Sequence, residues 1–220
     1  MSTLLQLRDQ VRSRADMTNS EFVSDSELDQ YINDSYKELY DLLVLKFDDY
    51  FIADPLEFTI STGNTYDLPN DFYKLRGLDR KNGPNDYYEL VPFNFHDRNK
   101  TGILFHDVRY RILGLKLHIT PIDSASGDYR MWYVPKLAKL VLGTDATLPQ
   151  VEPWEIYIVT DSAIKCLQKE ESDVSVLYAQ KTELTKRIEE AAENRDAGFP
   201  AQITNVYGRG DDTLFPRWRR

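Results

Sequence analysis

A single cysteine, Cys166, stands in 220 residues, so no internal disulfide can staple this fold. It lies in an apolar helical run and reads as a small core residue. Long apolar runs are missing as well. No segment approaches the roughly 18 residues of a membrane span, and the opening MSTLLQLRDQVRSR carries charge by Arg8 where a signal peptide would be apolar. The expectation is a soluble protein made in a reducing compartment, with no membrane contact. Histidine is scarce: His96, His106 and His118 fall in no metal-ligand spacing such as HExxH. The pairs His96-Asp97 and His106-Asp107 are weak evidence for a metal site, and His118 reads as a polar-face residue of a strand. There is no GxSxG, no Walker loop and no GxGxxG after a strand. Gly208-Arg209-Gly210 is too short to cradle a phosphate. No cofactor and no metal are therefore expected.

Positive charge is also in deficit. The chain has 27 Lys and Arg against 36 Asp and Glu, a net −9, which argues against a general nucleic-acid binder. An acidic body can still line a passage for DNA without holding it, because like charge repels the phosphates. With so many carboxylates, adjacent pairs such as Asp48-Asp49 arise by chance, although such a pair could supply acid and base for glycoside hydrolysis. Asn99-Lys100-Thr101 and Arg209-Gly210-Asp211 match a glycosylation sequon and a cell-adhesion tripeptide; in a chain without a signal peptide neither carries meaning.

What is present is structural. Apolar residues make up 41% and aromatics 12%, enough to fill a core. The fourteen tyrosines suit half-wet positions at interfaces, or ordinary strand usage. Ser24 to about Tyr50 reads as one long helix, with Leu28, Tyr31, Ile32, Tyr36, Leu39, Leu42, Leu43 and Phe47 on one face. Ser24 with Glu27 fits a capping box at its start. The following run, Glu57 to Asp79, reads as strand, turn at Gly63-Asn64, Pro69, then a second strand through Phe72, Leu75 and Gly77.

The order of these elements, with YINDSYKELYDLL on the helix and TYDLPNDFYKLRGLD in the strands, resembles the head-to-tail adaptor, or connector, proteins of tailed bacteriophages. The resemblance is clearest from Leu4 to Asp79 and continues through the C-terminal helices. It implies a helical body carrying a small β domain, assembled as a ring beneath the portal. It also implies about twelve copies, matching the portal's symmetry, and residence in the virion at the head-tail interface after passage through the host cytoplasm.

Elsewhere, Thr3 to Arg14 predicts a short amphipathic helix with Leu4, Leu7 and Val11 on one face. After Asn82-Gly83-Pro84-Asn85 comes a strand from Tyr87 to Val91, then one or two helical turns opened by Pro92. VRYRILGLKLHIT alternates on both sides of Gly114, a hairpin or bent strand. Asp128 to Val134 adds a strand with Tyr129, Met131 and Tyr133 on one face. Five or six strands are predicted, a small antiparallel sheet or barrel. Lys136 to Gln150 is a connector of low order. Pro153 opens a third helix, and a fourth runs from about Asp173 to Asn194, with Val174, Leu177, Lys181, Leu184, Ile188 and Ala191 facing helix three.

The expected fold class is α+β: an antiparallel bundle of about four helices with a central β-rich insert and an extended C-terminal tail. The boundaries fall at 1–54 (N-terminal helices), 55–135 (β insert), 136–196 (C-terminal helices) and 197–220 (tail). The tail holds four Arg against two Asp, a local +2 on a remainder of −11. Its Tyr207, Arg209, Phe215, Arg217, Trp218, Arg219 and Arg220 are the residue types of interface hot spots, and a basic tail on an acidic body suits docking onto an acidic partner or a neighbouring copy.

Family resemblance would make that partner the portal protein, with copies of the chain in a ring, a downstream tail or nozzle protein, and genomic DNA passing non-specifically through. The expected function is a non-enzymatic virion protein joining portal to tail. Alternatives are a tail-associated, muramidase-like lytic enzyme, or a tail-completion or tail-tube adaptor.

Overall fold

The computed structural model describes residues 1–18, 22–98, 108–143 and 146–195. Helix α1, Leu4–Arg14, starts on a complete capping box. Thr3 Oγ1 accepts from Gln6 N–H at 3.3 Å, and Gln6 Oε1 accepts from Thr3 N–H at 2.9 Å. Leu4, Leu7 and Val11, three and four residues apart, are its buried face.

Helix α2, Asp25–Lys46, is capped by Ser24, whose Oγ accepts from Glu27 N–H at 3.4 Å. The carboxylate of Glu27 departs from the expected reciprocal box: Lys169 and Tyr31 hold it. The buried stripe of α2 runs through Leu28, Ile32, Tyr36, Leu39, Tyr40, Leu43 and Val44, with Tyr31, Leu42 and Phe47 packed at its margins.

A turn of 3-10 helix at Glu152–Trp154 leads into α3, Glu155–Lys169, and α4 spans Ser175–Glu193. Every residue of α3 from Tyr157 to Ile164 is buried, because α1, α2 and α4 all pack on it. A helix apolar around most of its girth is a central one. On α4 the inward residues are Ile188 and Ala192, with Leu177 and Leu184 partly covered. Ala191, expected on that face, points to solvent, because the 3.6-residue helical period places its neighbour inward. All four helices feed one core, which also takes in Phe51, Leu140 and Val151.

Eight strands follow: β1 Leu56–Ile60, β2 Thr65–Asp67, β3 Phe72–Gly83, β4 Asp86–Glu89, β5 Val91–Pro92, β6 Arg109–Leu113, β7 Lys116–Thr120 and β8 Gly127–Pro135. They form two four-stranded sheets, ordered β1-β8-β3-β4 and β2-β7-β6-β5, where five or six strands in a small antiparallel sheet or barrel were expected. Two short strands account for the difference. The three residues of β2 pair with β7 rather than continuing the hairpin of β1. Val91–Pro92 lies parallel to β6 at the sheet edge, a position where proline's missing N–H does no harm. The helical turns expected within Phe93 to Asn99 are there as one turn of 3-10 helix at Phe95–Asp97, but Pro92 ends β5 instead of opening them.

The Gly114 hairpin joins β6 to β7 by a two-residue turn, Leu113 pairing with Lys116. Gly114 sits at φ +61 there, a conformation that costs a side-chain-bearing residue strain. Phe58, Ile60, Leu78, Leu117, Ile119, Tyr129 and Met131 from both sheets make a second core.

Candidate interaction surface

The expected contact residues Tyr207, Arg209, Phe215, Arg217, Trp218, Arg219 and Arg220 lie outside the described residues, as do His106, the Asn99-Lys100-Thr101 match and the Arg209-Gly210-Asp211 match. His96 is exposed on the 3-10 turn after β5, and His118 is half-buried on β7 between the core residues Leu117 and Ile119. Among the described residues no group of three His, Cys, Asp or Glu could hold a metal ion, and no helix is long and apolar enough to cross a membrane. Cys166 is buried, and burial pushes its thiol up to about 11.

Asp48 and Asp49 are committed to ion pairs with β3. Lys74 Nζ meets Asp48 Oδ1 at 2.7 Å, and the Arg76 guanidinium binds Asp49. The Lys74 hydrogen bond holds the Asp48 carboxyl below its ordinary value. A general acid needs the opposite shift. This pair instead ties the helices to the first sheet, as does Tyr73 donating to Asp41 at 2.8 Å.

A deep concavity lies where the chain leaves β8 and crosses α2. Residues 136–140 form a strap held on α2 by Asn33, with Tyr40 and Tyr36 fixing the chain before and after it. Asn33 accepts from Leu140 N–H at 2.7 Å and donates to Leu140 O at 3.2 Å. Tyr40 donates to Pro135 O at 2.6 Å, and the Tyr36 hydroxyl accepts from Leu148 N–H at 2.9 Å. Asn33, Tyr36 and Tyr40 are three and four residues apart, so one helix face aims all three at the crossing chain. Burial pushes the Tyr36 and Tyr40 hydroxyls above the ordinary phenol value, which keeps both protonated as hydrogen-bonding groups.

Cavities flank the strap. The larger, about 860 Å³, is lined by Asp34, Tyr36, Lys37, Tyr40, Asp41 and Tyr73 among others. The smaller, about 510 Å³, reaches Phe51, Ile52 and Gln150, and shares Tyr36, Tyr40 and Lys136 to Lys139 with the first. The exposed ring of Tyr73 over the largely buried Tyr36 and Tyr40, with polar groups at the rim, suits a surface that binds another chain. The connector reads as unstructured in sequence, so nothing there signals the groove; the one available hint is the Asn33-Tyr36-Tyr40 spacing, which also fits a core face.

A second feature escapes the pattern. Asp161, 2% exposed, accepts from Lys181 at 2.6 Å, Lys165 at 2.8 Å and Ser35 Oγ at 2.6 Å. Glu38 takes the second contact of both lysines. Burial alone would raise the Asp161 carboxyl, yet the donors from Lys165, Lys181 and Ser35 together hold it below the usual range. The Asp161–Lys165 spacing of four inside an apolar helix is the sequence signal for this cluster. Its enclosure suits a structural clasp between α2, α3 and α4.

A family model described as SU10 adaptor protein matches residues 2–204. No curated protein matches the chain.

Proposed function

Since the chain belongs to the SU10 adaptor protein family, a phage family of structural adaptors, we propose that it is the head-to-tail adaptor of a tailed phage virion. In this reading it assembles as a ring under the portal, joins the portal to the next tail protein and encloses the path of the DNA. The observation that carries the proposal is the extent of the family match, which spans every described helix and strand of both cores. The four helices serve as an antiparallel bundle carrying the sheets as an insert. The acidic body, −11 outside the last 24 residues, repels phosphates and lets DNA slide past. The basic aromatic tail docks on the portal through Tyr207, Arg209, Phe215, Arg217, Trp218, Arg219 and Arg220, the aromatics filling pockets and the arginines pairing with carboxylates.

Native mass spectrometry of the purified chain, alone and mixed with its portal, tests this. Stoichiometric addition of subunits to a portal ring supports it. A chain that ignores the portal would move the assignment to another tail position.

A further inference from the structure

The last described residue, Arg195, is anchored beside the groove under the strap. Its guanidinium carbon lies 3.8 Å from the centre of the Tyr50 ring, and Nη1 donates to Tyr50 O at 3.3 Å. The Tyr50 hydroxyl donates to Gln150 O at 3.3 Å, and Gln150, Phe51 and Ile52 line the smaller cavity. The polypeptide therefore leaves helix α4 at the mouth of that cavity. The sequence runs on for 25 residues beyond Arg195. At about 3.4 Å per extended residue, even a fraction of that length reaches both cavities.

We propose that the groove on either side of the strap is the docking site of residues 207–220 of the same chain. The chemistries match. Tyr207, Phe215 and Trp218 meet the exposed ring of Tyr73 beside Leu137, over a floor of the largely buried Tyr36 and Tyr40. The four arginines find Asp34 and Asp41 on the α2 rim, on a lining that also carries Lys37, Lys136 and Lys139, and guanidinium stacking on tyrosine is already used at Arg195 and Tyr50 and at Arg130 and Tyr87. Both cavities fall within the roughly 300–1,000 Å³ span of sites that enclose a small ligand, room for an aromatic side chain with its arginine neighbour. The tether selects the segment's own groove over a neighbouring copy's, because a short linker gives an effective concentration of about millimolar. Occupation of the groove precedes assembly and does not depend on the portal reading. If that reading holds as well, the portal competes with the groove for the same segment, and the free subunit keeps its docking residues sheltered.

The test uses the full-length chain with Ala138→Cys on the strap and Thr213→Cys in the C-terminal segment. Cys166 is buried and does not compete. Under mild oxidation, an intramolecular disulfide should form at least tenfold faster than in a control pairing Thr213→Cys with Tyr178→Cys on the exposed part of α4. Adding Trp218→Ala should slow it severalfold. Equal rates for the two pairs would overturn the proposal, and so would a bridge found only between two chains. Adding portal then separates the two readings. Slower disulfide formation when portal is present before oxidation supports both, whereas a rate indifferent to portal leaves the groove assignment standing and counts against tail docking on the portal.

Discussion

Lys181 of α4 places its ammonium 2.6 Å from a carboxylate oxygen of Asp161 on α3, and the Asp161 side chain is almost wholly enclosed. The lysine also lies 5.4 Å from the centre of the Tyr157 ring. One charge on α3 thus helps fix the height of α4 along the helical body, since sliding α4 by a turn, about 5.4 Å, would take Lys181 away and leave the carboxylate to Lys165 and Ser35.

Asp161→Asn should therefore destabilise the fold by about 2 to 4 kcal/mol, less than the roughly 3 to 5 for breaking a buried pair from one side, because Glu38 still holds both lysines. Urea denaturation of the two proteins measures this directly. An unchanged midpoint would mean that Glu38 alone suffices.

The same residue gives the stability a pH dependence of known sign. Its folded-state carboxyl titrates below the ordinary aspartate value of about 3.9. The contribution is complete above that value and disappears as pH falls through the lower folded-state one. The wild-type chain should accordingly lose stability more steeply than Asp161→Asn on descending below about pH 4, and the gap between them should narrow. Thermal melts across that range would show a constant gap if the carboxylate were irrelevant.

Asn33→Leu removes both side-chain hydrogen bonds to Leu140. Leaving that partly covered backbone unpaired should cost about 1 to 3 kcal/mol. It should also raise amide exchange at residues 136–140 more than in either sheet. Exchange that rose uniformly would show that the strap has no local hold.

For the C-terminal segment, Arg217→Ala with Trp218→Ala should weaken co-purification with portal by tenfold or more, the scale of a lost hot spot. The melting temperature should move by less than about 2 °C. Undiminished co-purification would remove the tail from the portal contact.

Period-based reading succeeded where one face of a long element is buried. The stripe of α2, the alternation of β8 and the glycine turn between β6 and β7 are all visible in the sequence. It failed where tertiary pairing outweighed local pattern. The three residues of β2 are too short to alternate, and Pro92 looks like a helix start until β6 is brought beside it. The complete capping box at Thr3 and Gln6 was present as T-x-x-Q but stood in the shadow of the stronger Ser24 signal. The groove was hidden for a different reason. It exists only because a patternless connector crosses a helix distant in sequence, and no window on the chain contains both.

Strand β8 places Met131 in the core of the sheets and Val134 in the core of the helices, three residues apart on one rigid element. Between them, Tyr133 O accepts from Ala53 N–H at 3.1 Å, pinning the chain just beyond α2. In mechanical terms the molecule has an axle where a hinge would otherwise be. A load on the sheets is carried straight into the helices, and neither half can tilt without bending a strand that belongs to both.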